Sequence, residues 1–349
     1  MPNADSYSTR CATFPGDRAA VVALWGDNLG VPGHAQEKFR WFYENSPSGA
    51  PLTMLLECSP AAGVETRELA GVASAGRRSF LMGHEEVTAG VLVDMAVMSR
   101  HRTLFPAIVL QKALFGAARV SCRVLYGFPN PKAAPVMQRV GYGKLGVLTR
   151  YVKVLRASRY LENKLPAPLA KIAGFLADAV LKLRLVVAAR ASRDLQLRWL
   201  ELDEMKLEPQ SLSISLPDGL VRGRRDMTFL QWRFAAGRRC KFISVERREG
   251  RQWGWWIVER TDDVMVVRDC SISLLNDDGV QHAWSKLAAQ AHSLGCSSVS
   301  FECLGPEQWL AKLLGIGFTA RNDRPVFGAV READRGPGSW FLTDADEDE

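Results

Sequence analysis

The chain has 349 residues, long for one core and comfortable for two. Its 47% hydrophobic and 24% charged residues are those of a soluble globular protein. Seven scattered cysteines with no Cys-x-x-Cys pair exclude a zinc-finger or disulfide framework and read as reduced core thiols of a cytoplasmic protein.

The net charge of +7 is uneven. Residues 150–198 hold eleven Lys and Arg against three acids, residues 222–251 hold ten against three, and the chain closes on Asp344-Ala-Asp-Glu-Asp-Glu349. The basic stretches can meet phosphates of a cofactor, nucleic acid or lipid, or can be solvated faces. The polar residues Met1–Arg10 lack the apolar segment of a secretory signal.

In chain order, Ala19–Leu24 and Glu37–Tyr43 read as helices. Leu52–Glu57, Leu69–Ala75 and Val91–Met98 read as strands, with His84, Glu85 and Glu86 in the loop before the third. Pro106–Ala118 is a long helical pattern, and Cys122–Tyr126 a short strand. The turn Gly127-Phe-Pro-Asn-Pro131 leads to a helix over Ala133–Val140 that Gly141 stops, and Val147–Leu155 is a strand. Leu165–Ala189 is a helical stretch started by Pro166 and Pro168. Its Lys171, Asp178, Lys182 and Arg184 argue against a membrane span. A connector between domains and an interfacial amphipathic helix remain.

The second half repeats the order: a helix at Phe229–Phe234, strands at Trp253–Glu259 and Val264–Ile272, a helix at Gly279–Leu294, a strand at Ser298–Cys303 and a helix at Pro306–Leu314. Phe229-Leu-Gln-Trp-Arg-Phe234 echoes Phe39-Arg-Trp-Phe-Tyr43. Asp94 precedes Gly141-Tyr142 by 47 positions, and Asp269 precedes Gly317-Phe318 by 48. Such spacing implies a duplicated α/β module. Along Trp253–Trp256, alternation places Trp253 and Trp255 on one face and Trp256 on the other, suited to core packing or, if exposed, to stacking on sugar rings.

Strand, long helix, short strand, Asn-bearing turn, short helix and Gly-aromatic strand, best seen over residues 71–155, resemble the GNAT (GCN5-related N-acetyltransferase) fold. The resemblance implies an α/β (α+β) chain of two tandem GNAT-like modules. Each would have a mixed, splayed central sheet flanked by helices. The modules would be 1–156 and a degenerate 201–335, joined by a helical connector at 157–200 and followed by an acidic tail at 336–349. It also implies an acyl-CoA cosubstrate, acetyl-CoA first, with no metal. The pantetheine strand would be Asp94-Met95-Ala96-Val97, with a backbone N–H near Met95–Val97 meeting the thioester oxygen.

In the same resemblance, Arg102-Thr103-Leu104-Phe105-Pro106-Ala107 corresponds to the pyrophosphate loop, where a helix N-terminus offers unpaired N–H groups. Phe105 stands in place of a glycine and Pro106 removes one N–H. Asn130, Ala133, Gly141 and Tyr142 match the second motif, in which Met137 replaces the tyrosine that protonates the departing thiolate. Asp94 is the first candidate base, with Glu85, Glu86 and His84 behind it, and Tyr126 or Tyr142 would be the substitute acid. The second module carries Leu275-Asn-Asp-Asp-Gly-Val280 and Pro306 at the corresponding places, and two acids there would repel pyrophosphate. The closing Ser339–Asp346 resembles the end of tandem GNAT-like proteins linked to polysaccharide assembly.

The expected activity is N-acylation of a small-molecule or amino-sugar acceptor. Rival readings are a Fem-like aminoacyl-tRNA-dependent transferase, the one reading that calls for nucleic acid, and a non-catalytic binding protein. A homodimer and a peripheral membrane contact through residues 165–189 stay open.

Overall fold

A computed structural model describes the chain apart from residues 1–5, 29–33, 60–66, 163–165, 192–193, 206, 208–218, 236–238, 248–249, 251, 272–278, 332–338 and 348–349. The first half contains β1 (Tyr7–Cys11), α1 (Arg18–Asn28), and α2 (Ala35–Lys38), which runs into a π-helical turn (Phe39–Glu44). Then come β2 (Leu52–Cys58), β3 (Glu68–Met82), β4 (Glu85–Val97), α3 (Leu104–Ser121), β5 (Val124–Gly127), α4 (Ala134–Val140) and β6 (Gly143–Val154). Two helices follow, α5 (Ser158–Glu162) and α6 (Ala167–Ala191).

The second half contains β7 (Leu195–Leu200), β8 (Val221–Gly223), α7 (Met227–Phe234), β9 (Cys240–Arg247), β10 (Gln252–Thr261) and β11 (Val264–Cys270). After these come α8 (Gly279–Ser293), β12 (Ser298–Leu304), α9 (Glu307–Gly315), β13 (Thr319–Val330) and β14 (Trp340–Thr343).

The two halves share one mixed sheet of 14 strands. Its main path runs β1-β2-β3-β4-β5-β13-β6-β12-β11-β10-β9-β7. Read from either end, the pairings are the same: antiparallel through the first four strands, parallel at β4–β5 and β11–β12, then antiparallel to a strand from the other half. So β13 pairs with β5, β6 pairs with β12, and β6 and β13 meet antiparallel at the centre, with Ala320 opposite Tyr151 and Gly328 opposite Gly143. The halves have exchanged β6 and β13 about a pseudo-two-fold axis.

A second pair marks the same axis. Trp41 and Trp232 stack with ring centroids 4.7 Å apart at 12°. Each indole Nε1 donates to the other's backbone carbonyl at 2.9 Å. This is the self-complementary contact that two-fold symmetry generates, and it explains the repeated aromatic motif.

One face of the first half's sheet packs Val72, Val91 and Val93 under α1, α2 and the π-turn. The other packs Ala73, Ala75 and Leu125 against Leu110 and Leu114 of α3. Among the described residues α3 is the one helix with the length and hydropathy of a membrane span. Leu110, Leu114 and Ala118 are fully buried in this core.

Two local expectations change. Glu85 and Glu86 open β4, because β3 and β4 continue as a long hairpin through Gly83-His84. Trp253 lies on the same side as Trp256, because a register shift between Gln252 and Gly254 resets the alternation. Trp255 and Trp256 are fully buried, which makes them core residues.

Candidate functional site

Where β4 leaves β5, the strand has two unusual properties. Its parallel pairing with β5 covers only Ala89, Gly90 and Val91. Among the described residues no strand pairs with that edge of Leu92–Val97. On its other side, β4 bulges: Val93 faces Ser74 and Ala96 faces Val72, so Asp94 and Met95 together oppose Ala73. Asp94 adopts the left-handed conformation with φ 54°. This is uncommon for a non-glycine residue, although Asp and Asn tolerate it best.

Asp94 is held there by its side chain. One carboxylate oxygen lies 2.7 Å from Lys38 Nζ, and the other 2.8 Å from the hydroxyl of Tyr43. That hydroxyl is also 2.8 Å from Ser74 Oγ, which is 2.9 Å from Thr53 Oγ1. The π-turn after α2 aims Tyr43 down onto the sheet. Lys38 and Tyr43 were not singled out from the sequence. One signal was available: with Trp41 matched to Trp232, Tyr43 corresponds to Phe234, so the first half alone has a hydroxyl at this place.

Met95 and Val97 turn toward the α3 side, and Ala96 toward the α1 side. Arg102 reaches back: its Nε donates to the Val97 carbonyl at 3.1 Å and its Nη2 to Asn28 Oδ1 at 2.9 Å. Thr103 is the N-cap of α3 but makes no side-chain cap, and its N–H bonds to the His101 carbonyl. Leu104 and Phe105 are exposed in the first turn, while Pro106 and Ala107 are buried. Two main-chain N–H groups, of Leu104 and Phe105, therefore open the helix that follows β4, and Pro106 supplies none.

Asn130 accepts from the N–H of Lys132 and Ala133 at 3.0 and 2.9 Å and so shapes the turn into α4. Ala133 is the N-cap of α4. Met137 and Tyr142 are core residues, and burial pushes the Tyr142 phenol pKa upward.

Two predicted residues fall elsewhere. Glu85 lies nine residues before Asp94 on the same strand, about 30 Å away, and pairs with Arg123. It cannot serve the same centre as Asp94. Tyr126 is fully buried, and its hydroxyl donates to the Asp346 carbonyl at 3.0 Å, so its proton points into the fold.

The corresponding place in the second half is built differently. Asp269, the counterpart of Asp94, is fully buried and accepts from Arg225 Nε at 2.6 Å and from Thr343 Oγ1 at 2.8 Å. Arg225 also donates to both oxygens of Asp346. Burial works to lower the Arg225 pKa, but the charges of Asp269 and Asp346 outweigh it and the pKa is raised. β14 pairs with the end of β12, Thr343 facing Cys303. The closing segment thus bridges β11 and β12 at the point where they diverge. The acidic loop 275–278 lies outside the described residues. Among the described residues no three His, Cys, Asp or Glu side chains gather as metal ligands.

No family model and no curated protein matches the sequence. Solved structures match its fold. A probable N-acyltransferase from Enterococcus faecalis V583 superposes with a TM-score of 0.64 at 10% identity, over 93% of this chain and 73% of that one. GCN5-related N-acetyltransferases superpose similarly. The one from Anabaena variabilis gives 0.62 at 12% identity over 93% of this chain and 72% of its own. The one from Kribbella flavida gives 0.61 at 12% identity over 95% and 73%. The likeness covers more than nine-tenths of this chain and so reaches both halves, and this chain has the fold of the GCN5-related N-acetyltransferases.

Proposed function

We propose that the protein is an acyl-CoA-dependent N-acyltransferase, with acetyl-CoA as the first cosubstrate to test, acting on the amine of a small molecule or amino-sugar. The observation that carries this reading is the edge of β4 at Leu92–Val97 with which no strand pairs among the described residues, bulged at Asp94 and followed in the chain by the exposed first turn of α3. An extended arm with amide groups can complete such an edge as a strand would. Residues Met95–Val97 would line the pantetheine arm. The N–H groups of Leu104 and Phe105 would meet pyrophosphate, with Arg102, Thr103 and Ala107 setting the turn, and Asn130 and Ala133 would form the far wall.

When bound, acyl-CoA supplies the activated acyl group. The chain supplies position and dipoles: a backbone N–H at the bulge stabilises the thioester oxygen as it gains charge, and holding the amine close removes much of the entropic barrier. Asp94 acts by fixing the bulge, since both its oxygens are engaged by Lys38 and Tyr43. In the second half Thr343 and Asp346 occupy the equivalent place, which supports a single cosubstrate site.

Ion pairing weakens the tRNA-dependent reading. In the second basic stretch Arg222, Arg225 and Arg233 are buried, Arg224 pairs with Glu86, and Lys241 pairs with Glu201. Non-catalytic binding is favoured by one observation, the engagement of Tyr126 together with the burial of Met137.

The test is a calorimetric titration with acetyl-CoA of the wild type and of Phe105→Glu. Glu in the first turn of α3 suits the helix dipole, so folding is retained, yet it opposes an anionic cosubstrate. Micromolar binding, weakened at least tenfold in the variant at unchanged melting temperature, is expected. No binding by the wild type would sink the proposal. Binding without turnover over a panel of amines would favour the non-catalytic reading.

A further inference from the structure

Thirteen large apolar side chains are exposed among the described residues, and eight of them sit on one helix, α6. Leu169, Ile172, Phe175, Leu176, Leu183 and Val187 are each more than half exposed. At 100° per residue the exposed apolar positions fall within an arc of about 140°. The opposite side of the helix is docked. Leu185 is buried in the second half's core, and Gly174 packs so closely on α5 that a Cβ there would lie 2.9 Å from Ser158 Cα. The only acid of α6, Asp178, also turns inward, accepting the N–H groups of Ala157 and Ser158 that begin α5.

The exposed charges on α6 are therefore all positive. Lys171 and Lys182 border one margin of the apolar arc, and Arg184 the other. From Leu169 to Val187 the strip is about 27 Å long. A monomer seldom shows a continuous apolar face of this extent without a use for it.

We propose that the outer face of α6 docks the protein, lying flat, on an anionic phospholipid bilayer. The apolar arc enters the boundary between headgroups and acyl chains, and the bordering cations meet lipid phosphates. Charge complementarity selects this occupant. Pairing α6 with α6 of a second copy would bring Lys171, Lys182 and Arg184 of both helices together with no exposed acid on either to compensate. A transmembrane placement is closed to α6, because its inner face is packed on α5 and α8.

The test is flotation of the full chain with vesicles of phosphatidylcholine alone or mixed with phosphatidylglycerol. Flotation with the anionic vesicles only, weakening with added salt, is expected. Phe175→Asp with Leu183→Asp places two charges in the apolar arc and should abolish it. Lys171→Glu with Lys182→Glu and Arg184→Glu leaves the arc intact, and should lower affinity for anionic vesicles about a hundredfold. Both variants alter exposed positions and should keep the wild-type melting temperature. Failure of the folded wild type to float with anionic vesicles would overturn the proposal. So would equal binding to neutral vesicles, or a dimer in sedimentation that Phe175→Asp dissolves without any vesicle binding.

Discussion

Asp94 combines a costly backbone conformation with a buried charge, and each explains the other. A left-handed φ in a strand costs about 1 kcal/mol or more, and a buried carboxylate needs partners. The bulge provides the geometry that lets Asp94 reach both Lys38 and Tyr43. Two substitutions separate these contributions. Asp94→Asn tolerates the same φ and still accepts from Tyr43, losing the ion pair with a partly exposed lysine, and should cost about 1–2 kcal/mol. Asp94→Ala loses both partners and the side chain that favours φ above zero, and should cost about 3–4 kcal/mol. Urea midpoints would give both numbers, and acetyl-CoA titration of the two variants would follow the bulge. If the bulge positions the thioester, the Asn variant binds and the Ala variant does not. Equal losses in both would assign the effect to the charge and leave the bulge without a role.

The closing segment is the element that most distinguishes the halves. Arg225 is buried between Asp269 on β11 and Asp346 after β14, with Thr343 completing the group. Lysine keeps the charge but not the planar fork that reaches two carboxylates at once. Arg225→Lys should therefore cost about 2–4 kcal/mol and loosen residues 340–347. Limited proteolysis would report cleavage near the C-terminus before global unfolding. Cleavage no faster than in the wild type would show that β14 is held by its strand pairing alone.

Spacing picks out Asp269 and the closing Ser339–Asp346 is recognisable, but their junction through Arg225 is not legible in a sequence whose last residues, 344–349, form an acidic tail. Charge pattern alone does not show that Asp346 is buried. Helices were the more legible elements: α3, α6 and α8 carry long apolar patterns. β13 was missed because Arg321-Asn-Asp-Arg-Pro325 has no alternation and contains a proline. The structure accommodates Pro325 because β5 reaches only to Phe327, so at that point β13 has a partner on the β6 side alone. Asp94 and the Asn130 turn could be picked out by their spacing. Lys38 could not, and Tyr43 only by its match to Phe234, since the fold alone brings the π-turn over the bulge.

At the scale of the whole molecule, the exchange of β6 and β13 makes two halves into one cooperative body. β5 has β4 on one side and β13 on the other, and β13 comes from beyond residue 318. Residues 1–156 alone would leave the β5 edge unpaired. They would also leave β6 without either neighbour, and an unpaired edge is prone to association. The stacked Trp41–Trp232 pair would be lost as well, uncovering the carbonyl–indole bonds on both sides. The fragment should therefore aggregate or dimerise through these edges. The intact chain should melt in one calorimetric transition, with equal calorimetric and van't Hoff enthalpies. Two independent modules on a linker would instead give two transitions, and a monomeric fragment with native-like cooperativity. Retention of the second half follows from the same physics. Its splay is crossed by Thr343 and Asp346, yet it supplies the strand that completes the first half's sheet beside β5, so it would be needed for the site even where it holds no cosubstrate of its own.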